Sequence, residues 1–523
     1  MTLLRKNGII KYIFLIASGV LTGLTLVFTR LGFLEWVSIV PAAAVIIQLA
    51  SDKAVKYKTI YKCGFVYFMS FYMTGFHWFV ALYPLSFISG MTNGVAAFIV
   101  IFAWVGLSLL QAIASSFVPV IIALAARRPL CQRYKLIVPL CSGAVYAVFE
   151  WLQTLTWAGV PWSRLAIGQT ELSAMIKSAS LFGSYFITFI IVAVNFYLAL
   201  AWISESKQQK RICASLGAII IAVNASVGSV LIVADENNGE PITSAAIQPN
   251  ISSHEKWSGS LYDIKLALET HAMSAAEEGA ELIVFSETVY PYELLNSETS
   301  RDFFSELAVK CDATLVVGCF TSDEEGEYNS LIFIEPNGAI SETVYSKRHL
   351  VPFGEYVPLR KLVMTIVPPL AELSMLGEDL SEGKDAAIFD GEIGAIGGLI
   401  CFDSIYETLA LESVRSGAEI ISLSTNDSWF LDSAGVKMHN AQAKLRAVEC
   451  GRYIVRSANT GISSVIDHNG NTLDEKEALV DGYVIADIYP RNNRTLYSYI
   501  GNVVVLLSAA FVVWLIFAKN NKV

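Results

Sequence analysis

Eight long apolar runs constrain the fold of this chain more than any other feature of its sequence. Crossing about 30 Å of hydrocarbon takes about 20 helical residues. Runs of that order lie near residues 10–29, 33–50, 60–83, 95–124, 135–152, 178–203, 212–233 and 497–518. With 54% hydrophobic and 16% charged residues, the 523-residue chain is too apolar for an ordinary soluble protein. We therefore predict a bundle of about eight transmembrane helices.

The charged residues divide the chain into two parts. Residues 1–233 and 496–523 carry 19 Lys and Arg against 5 Asp and Glu, whereas residues 234–495 carry 18 against 42. Basic residues occupy every second loop between the apolar runs, and by the positive-inside rule such loops face the cytoplasm. This pattern predicts that both termini are cytoplasmic and that the acidic segment faces outward. Eight apolar core helices of a soluble protein would match the alternation only by chance.

The acidic segment has the pattern of an α/β domain. Runs of β-branched residues that end in turn residues predict strands near 242–250, 280–288, 313–320, 328–338, 393–403, 418–427, 452–459 and 460–470. Helical patterns lie at 259–279, 299–311, 404–416 and 438–451. We therefore predict a membrane domain with seven helices (1–233), an outer catalytic domain (234–495) and a C-terminal transmembrane helix (496–523).

Three residues at predicted strand ends could form a covalent-catalysis site. Glu287 ends the run LIVFSE, Cys401 ends GGLIC, and Lys347 lies in YSKRHLVPFGEYVP. A thiol attacks as a thiolate, so it needs a base for its proton and a positive charge beside the anion. Glu287 could supply the base and Lys347 the charge. Lys347 and the backbone N–H after Cys401 are also candidate donors to an oxyanion.

Other interpretations of the same residues stay open on sequence alone. A lone Cys beside a strand is often core filling. An outward-facing domain that contains Cys311, Cys319, Cys401 and Cys450 could also hold disulfides, although Cys311 and Cys319 flank one strand and are too far apart to pair. The sequence has neither a C-x-x-C pair nor a His pair at ligand spacing, so we expect no metal and no cofactor.

An ordered set of motifs resembles the nitrilase superfamily. The motifs are ELIVFSET, YSKRHLVPFGEYVP, GGLICFDSIYE and STNDSWF, followed by HNAQAKLRAVECGRYIVRSANTG. With seven apolar runs before them and one after, the chain is similar to the bacterial apolipoprotein N-acyltransferases. The resemblance implies a nitrilase-like αββα sandwich on a membrane helix bundle, and a catalytic triad of Glu287, Lys347 and Cys401.

The same resemblance implies supporting and substrate-pocket residues around the triad. They are Glu355, Phe402, Asp403, Trp257, Asn426, Trp429 and Phe430. The chain departs from the family pattern at two positions, because Ser286 stands where the family often has Pro and Asp403 where it often has Glu. Asp403 is one methylene shorter, so a hydrogen bond that the family's Glu makes must be re-formed or lost.

The resemblance further implies a phospholipid-dependent acyltransferase. The acyl chain would pass from a glycerophospholipid such as phosphatidylethanolamine to a cysteine thioester, and then to the α-amino group of the diacylglyceryl-cysteine of an apolipoprotein. This is the last step of lipoprotein maturation at the bacterial inner membrane, with the catalytic domain periplasmic. The implied partners are these two lipid substrates and the bilayer, with no nucleic acid.

Two other classes of protein fit parts of the sequence. A membrane-tethered nitrilase-type amidase would use the same triad with water as the acceptor. A transporter or receptor would need ionisable residues inside its spans, for which Glu35, Glu150 and Arg164 are candidates.

The stretch 362–383, LVMTIVPPLAELSMLGEDLSEG, is an apolar loop broken by two prolines. Exposed apolar patches usually meet a partner or a bilayer, and lids commonly gate access to such sites. We predict a mobile, membrane-contacting lid over the acyl site. Packing of these side chains on the sandwich is the alternative.

Overall fold

The computed structural model describes residues 8–85, 91–237, 239–252, 260–361, 365 and 379–518. Two compact units make up the chain. We call them the helical unit (Met1–Val80, Phe98–Asp235 and Ile500–Val523) and the sandwich unit (Ala81–Ala97 and Glu236–Tyr499). Trp257 and most of the predicted lid segment lie outside the described residues.

Apolar helices form the helical unit. The longer ones are α1 (Gly8–Val27), α2 (Val40–Ser51), α3 (Tyr57–Gly75), α4 (Asn93–Ser115), α5 (Phe117–Ala126), α6 (Ile137–Leu152), α7 (Ser184–Ile203) and α8 (Lys207–Ala234), with a last helix at Val503–Phe517. Single turns lie between them at Thr29–Leu34, Glu35–Ser38, His77–Leu82, Pro129–Arg133, Leu165–Gln169, Ser173–Ile176 and Ala179–Phe182. Many side chains on these helices are both apolar and exposed, for example Phe98, Phe102 and Val230, as expected where lipid is the solvent.

Within the described residues, five helical stretches are long and apolar enough to cross a membrane. They are Gly8–Val27, Thr29–Ser51, Asn93–Ala126, Ser184–Ile203 and Lys207–Ala234. Two shorter apolar helices, Ile137–Leu152 and Val503–Phe517, correspond to two further predicted spans. Helix α3 lies in another predicted span but carries Lys58 and Lys62 and is only moderately apolar. Several spans are therefore supported, and the total of about eight stays a prediction.

The three ionisable residues considered for a transport pathway are buried inside the helical unit. Glu35, Glu150 and Arg164 are 0%, 5% and 1% exposed. Gln169 Nε2 donates to Glu35 Oε2 at 2.6 Å. Glu150 accepts from the backbone N–H of Leu165 at 2.9 Å and belongs to α6. These hydrogen bonds link the segment between α6 and α7 to α6 and to the turn Glu35–Ser38. The two carboxylates therefore have a structural role.

Two six-stranded sheets form the sandwich unit. The strands are β1 (Ile242–Gln248), β2 (Leu282–Val284), β3 (Thr314–Asp323), β4 (Gly326–Ile334), β5 (Ile340–Ser346), β6 (Ile388–Gly391), β7 (Gly394–Ile400), β8 (Ile420–Thr425), β9 (Tyr453–Ala458), β10 (Ser463–Ile466), β11 (Thr472–Lys476) and β12 (Gly482–Ile488). Their orders are β12-β1-β2-β3-β4-β5 and β11-β10-β9-β8-β7-β6. In each sheet three neighbouring strands run parallel, β1-β2-β3 and β7-β8-β9, between antiparallel flanks.

Helices cover the outer faces of the sheets, so the unit has four layers. Helices α9 (Leu261–Glu277) and α10 (Glu298–Cys311) pack on the first sheet through a shared apolar core. Helices α11 (Glu407–Arg415) and α12 (Ala434–Cys450) lie against the second sheet, and a short helix, Leu496–Ile500, follows. A second core lies between the sheets, where Phe333 stacks on Phe389 with ring centroids 5.2 Å apart. The predicted αββα sandwich is therefore present.

The sequence prediction found the eight inner strands and missed all four edge strands, β5, β6, β11 and β12. Inner strands are buried on both faces and appear in the sequence as continuous apolar runs, such as β8, which is buried throughout. Edge strands are half exposed and carry polar residues, as in ISETVYS for β5 and TLDEK for β11. Helix α12 also begins at Ala434, four residues earlier than predicted.

Hydrogen bonds between the sheets align the carboxyl ends of their parallel strands. Ser424 Oγ at the end of β8 donates to the carbonyl oxygen of Phe285, just after β2, at 2.6 Å. Ser457 Oγ in β9 donates to Ile247 O in β1 at the same distance. Side chains that follow β2, β7 and β8 therefore lie at one edge of the sandwich, where open α/β sheets usually bind ligands.

Candidate active site

Lys347 lies between two buried carboxylates. Its Nζ donates to Glu287 Oε1 and to Glu355 Oε1, both at 2.8 Å. Lys347 directly follows β5 and is 1% exposed, and Glu287 is 5% exposed. Burial opposes the charge on Lys347, but the two carboxylates outweigh it and raise the pKa of the ammonium well above its usual range. The two carboxylates therefore stabilise the charged form of Lys347.

The turn that carries Glu287 passes closely over β3. A Cβ on Gly318 of β3 would lie 2.4 Å from Ser286 O and 2.9 Å from the Cα of Glu287. Only a glycine leaves room for the chain there. Asn329 Nδ2, from β4, donates to Glu287 Oε1 at 2.7 Å, so the carboxylate is held by groups on two neighbouring strands. Ser286 itself is fully buried in this turn.

Glu355 supports Lys347 from the following loop. Its second oxygen, Oε2, accepts from the backbone N–H of Val351 at 2.8 Å, which fixes the carboxylate within its own loop. Burial and the nearby Glu287 raise the pKa of Glu355, although Lys347 acts in the opposite direction. The side chain thus orients the Lys347 ammonium and balances part of its charge.

Cys401 directly follows β7 and begins a turn of 3-10 helix, Cys401–Ile405. Its φ of 48° lies in the left-handed region, where a non-glycine residue costs on the order of 1–3 kcal/mol. All eight cysteines are free thiols, so the disulfide alternative is wrong, and Cys401 alone among them is partly exposed. Burial of its Sγ and the charge of Glu287 raise the pKa of this thiol, and Lys347 lowers it only partly. A raised pKa favours the protonated thiol, which would need a base in order to act as a nucleophile.

Asp403 ties the Lys347 loop to the Cys401 turn. Its Oδ1 accepts from the backbone N–H groups of His349 at 2.8 Å and Arg348 at 3.3 Å. Its Oδ2 accepts from the Tyr345 hydroxyl at 2.8 Å and the Ile400 N–H at 3.1 Å. The short side chain is fully buried and makes four hydrogen bonds, so the departure from Glu at this position leaves the site well braced.

The other residues implied for the pocket are only partly brought together. Phe402, half-buried, packs edge-on against Tyr406 with ring centroids 5.5 Å apart. Asn426, Trp429 and Phe430 lie on the turn after β8, at the same strand ends as Cys401, and each is partly exposed.

A buried ionic cluster beside Cys401 was missed by sequence reasoning. Asp427 Oδ1 lies 2.8 Å from His439 Nδ1, and Arg456 Nη2 donates to Asp427 Oδ2 at 2.8 Å. Burial favours the neutral carboxyl, but His439 and Arg456 outweigh it and hold the pKa of Asp427 below its usual range. All three residues stand within the quoted motifs, where a charged side chain inside a buried run was the available signal.

Cys401 Sγ, a carboxylate oxygen of Asp427 and a ring nitrogen of His439 lie within 4.8 Å of one another. These are ligand types that zinc accepts. The polar atoms are already engaged, however, because His439 Nε2 is 3.1 Å from both Ser404 Oγ and Cys401 O, while Asp427 binds His439 and Arg456. A metal ion would have to displace these contacts.

Two family models match the chain. The carbon-nitrogen hydrolase model matches residues 243–495, which hold both sheets together with Glu287, Lys347 and Cys401. The fold and this site define a protein of the nitrilase superfamily. A second model, the apolipoprotein N-acyltransferase N-terminal domain, matches residues 18–197 in the helical unit.

Relatives named apolipoprotein N-acyltransferase match two thirds or more of the chain. The apolipoprotein N-acyltransferase of Nitrosomonas europaea is 27% identical over 69% of this chain and 70% of its own length. That of Gloeobacter violaceus is 26% identical over 97% of this chain and 93% of its own. A solved structure, Saccharomyces cerevisiae Nit3 of nitrilase branch 10, matches with 21% identity and a TM-score of 0.38, over 55% of this chain and 98% of that one. The chain belongs to the apolipoprotein N-acyltransferase family and is an acyltransferase, which confirms the resemblance seen in the motifs.

Proposed function

We propose that Glu287, Lys347 and Cys401 transfer a fatty acyl group from a glycerophospholipid, such as phosphatidylethanolamine, to a lipoprotein. The acceptor is the α-amino group of the N-terminal diacylglyceryl-cysteine of an apolipoprotein. The observation that carries this proposal is the buried Lys347 ammonium held between Glu287 and Glu355, together with Cys401, a partly exposed residue whose thiol pKa is raised by burial and by the charge of Glu287. Family membership supports the lipid and lipoprotein substrates.

In the first half-reaction, Cys401 Sγ attacks the ester carbonyl and its proton passes to Glu287. The new C–S bond leaves an oxyanion, for which Lys347 Nζ and the Phe402 N–H are the donors. When the oxyanion collapses, the C–O bond breaks and Glu287 returns the proton to the departing lysophospholipid oxygen. The acyl chain is then a thioester on Cys401.

In the second half-reaction, the acceptor amine attacks the thioester carbonyl. Glu287 takes a proton from the amine, the same donors hold the second oxyanion, and the C–S bond breaks as the amide forms. The proton then returns to the sulfur. Asp403 and Glu355 hold the loops in place, and Phe402, Trp257, Asn426, Trp429 and Phe430 are proposed to contact the substrates.

The proposed setting is the bacterial inner membrane, with both termini cytoplasmic and the catalytic domain periplasmic. Supporting observations are the alternation of basic loops, the five candidate spans with two shorter apolar helices, and the boundaries of the compact units near Asp235 and Ile500. We propose the domain limits 1–233, 234–495 and 496–523 on this basis, with a lid at 362–383.

The test is a reconstitution with purified protein. Phosphatidylethanolamine labelled in its acyl chains and a synthetic diacylated lipopeptide are supplied together, and a labelled triacylated lipopeptide is expected. Without the lipopeptide, label should stay on the protein and be released by neutral hydroxylamine, and Cys401→Ala should carry none. Release of free fatty acid with no triacylated product would instead indicate an amidase-like hydrolase that uses water as the acceptor.

A further inference from the structure

The carbonyl oxygen of Cys401 is held by two side chains. Ser404 Oγ donates to it at 2.7 Å, and His439 Nε2 lies 3.1 Å from it. This carbonyl belongs to the same peptide group as the Phe402 N–H. Because a peptide group is planar and trans, fixing the oxygen at one end fixes the direction of the N–H at the other.

Both ring nitrogens of His439 have hydrogen-bond partners. Ser404 gives its one hydroxyl proton to Cys401 O, and His439 Nε2 lies 3.1 Å from both Ser404 Oγ and Cys401 O, where a ring N–H would find acceptors. His439 Nδ1 lies 2.8 Å from Asp427 Oδ1, and this contact fixes the orientation of the ring.

Arg456 holds Asp427 from the opposite side. Its Nη2 donates to Asp427 Oδ2 at 2.8 Å and lies 3.3 Å from His439 Nδ1. Ser404, Asp427, His439 and Arg456 are each at most 1% exposed. A chain of buried polar contacts thus runs from β9 through the turn after β8 to α12 and ends on the peptide group that follows Cys401.

We propose that His439, together with Ser404, positions and polarises the Cys401–Phe402 peptide so that the Phe402 N–H serves as an oxyanion donor. Hydrogen bonds to a carbonyl strengthen the N–H of the same peptide as a donor, and they do so more strongly in a buried site. His439 is a positioning residue, and Asp427 and Arg456 fix its ring. This inference rests on the proposed thioester at Cys401.

Two reactions of the same thiol separate this role from a purely structural one. Acylation by phospholipid passes through an oxyanion, whereas alkylation of Cys401 by iodoacetamide displaces iodide and forms none. His439→Ala is expected to slow single-turnover acylation by about 10- to 100-fold and to change alkylation less than about threefold. His439→Gln keeps an N–H near the Nε2 position and should recover part of the rate.

Ser404→Ala removes the other donor and should give the same pattern. The double variant should lose less than the product of the two single losses, because both side chains act through one carbonyl. The control is His468→Ala, which removes another buried imidazole of the second sheet, 5.4 Å from the Tyr453 ring. It should leave both reactions of Cys401 near the wild-type rate.

Equal losses of acylation and alkylation in His439→Ala or Ser404→Ala would overturn the inference, and so would wild-type acylation in either variant. If His439→Ala does not fold, His439→Gln and Ser404→Ala decide the question by the same comparison. If the wild-type protein is alkylated at Cys401 but never acylated by phospholipid, the proposed function itself fails, and this inference fails with it.

Discussion

At the scale of single residues, the charges around Cys401 decide how its thiol can react. An ammonium has three donors, and Lys347 gives two of them to Glu287 and Glu355. The pKa of the Cys401 thiol is raised despite this cation, first by burial and then by Glu287. In the proposed reaction, attack by Cys401 would therefore require proton transfer to a base, because the raised pKa disfavours a thiolate that is present beforehand.

The first prediction concerns the pH dependence of Cys401. A thiol with a raised pKa stays protonated at neutral pH, so its alkylation by iodoacetamide should keep rising well above the ordinary thiol pKa of about 8.5. Glu287→Gln removes a charge that raises the pKa of the Cys401 thiol. The curve of alkylation rate against pH should therefore move to lower pH. Mass spectrometry of the Cys401 peptide measures the rates, and Cys401→Ala gives the background from the other seven cysteines. A plateau near pH 7 in the wild-type protein would contradict the assignment.

The second prediction concerns Glu287 as the base. Glu287→Gln keeps an oxygen that can accept from Asn329 Nδ2 and leaves Glu355 as a counter-ion of Lys347, so the melting temperature in detergent should stay close to that of the wild type. Thioester formation should fall by at least about 100-fold, since general-base catalysis contributes about that much or more. Single-turnover acylation at near wild-type rate would exclude Glu287 from this role.

The third prediction concerns Lys347 and stability. Lys347→Ala leaves Glu287 and Glu355 buried without their cation, and removing one partner of a buried ion pair costs on the order of 3–5 kcal/mol. Without Lys347 the raised pKa of Glu355 rises further, because a charge that lowers it is lost. A carboxyl with a raised folded pKa favours folding at low pH, and that contribution is lost as pH rises through the folded value. The variant should therefore melt closer to the wild type at pH 5 than at pH 8.

Thermal melts of both proteins at the two pH values measure this effect. Lys437→Ala is the control, because Lys437 is exposed and its ion pair at 3.3 Å is with Asp432, which is also exposed. Its melting temperature should match the wild type at both pH values. An equal deficit for Lys347→Ala at pH 5 and pH 8 would show that the loss does not come from the two carboxylates.

At the scale of secondary-structure elements, the site depends on braces between strand ends. β5 and β7 belong to different sheets, and Asp403 connects the residues that follow them. A glycine is needed where the sheets approach, because a Cβ on Gly398 of β7 would lie 2.9 Å from the Tyr345 ring. Gly398 and the Tyr345–Asp403 hydrogen bond thus act together to hold the ends of β5 and β7 close to each other. They thereby set the distance between Lys347 and Cys401.

The fourth prediction concerns this brace. Tyr345→Phe removes one of the four hydrogen bonds to Asp403 and should cost about 1 kcal/mol of stability with little effect on acylation. Asp403→Ala leaves four donors without a carboxylate acceptor, the Tyr345 hydroxyl and the N–H groups of Arg348, His349 and Ile400, and should lower both melting temperature and acylation strongly. The two variants are compared by thermal melting and single-turnover acylation. Equal losses of stability and of acylation in the two variants would mean that the backbone hydrogen bonds to Asp403 contribute nothing beyond the hydrogen bond from Tyr345.

At the scale of the whole molecule, the distribution of charge separates the chain into parts suited to different surroundings. Residues 234–495 hold 42 of the 47 acidic residues. Exposed apolar side chains are frequent on the helices of the helical unit, such as Ile101 and Phe517. A bilayer around these helices and water around the sandwich unit would satisfy both surfaces.

The fifth prediction concerns orientation in the membrane. Lys53→Cys lies in a basic loop between α2 and α3, and Glu324→Cys lies in the exposed turn between β3 and β4. In spheroplasts, a membrane-impermeant maleimide should label position 324 at once and position 53 only after lysis. The unsubstituted protein is the control for its native cysteines. Labelling of position 53 without lysis would reverse the proposed topology.

The sequence by itself determined the features that depend on neighbouring residues in the chain. The length of the apolar runs indicated membrane helices, and runs of β-branched residues that end in turn residues indicated the eight inner strands. The motifs identified Glu287, Lys347 and Cys401 as the candidate catalytic triad. Only the tertiary structure decided the four edge strands, because half-exposed strands are defined by their partners and not by their own composition. It likewise brought Asp427, His439 and Arg456 together from a turn, a helix and a strand, since the buried Asp427 carboxylate is compensated by side chains from other elements of the fold.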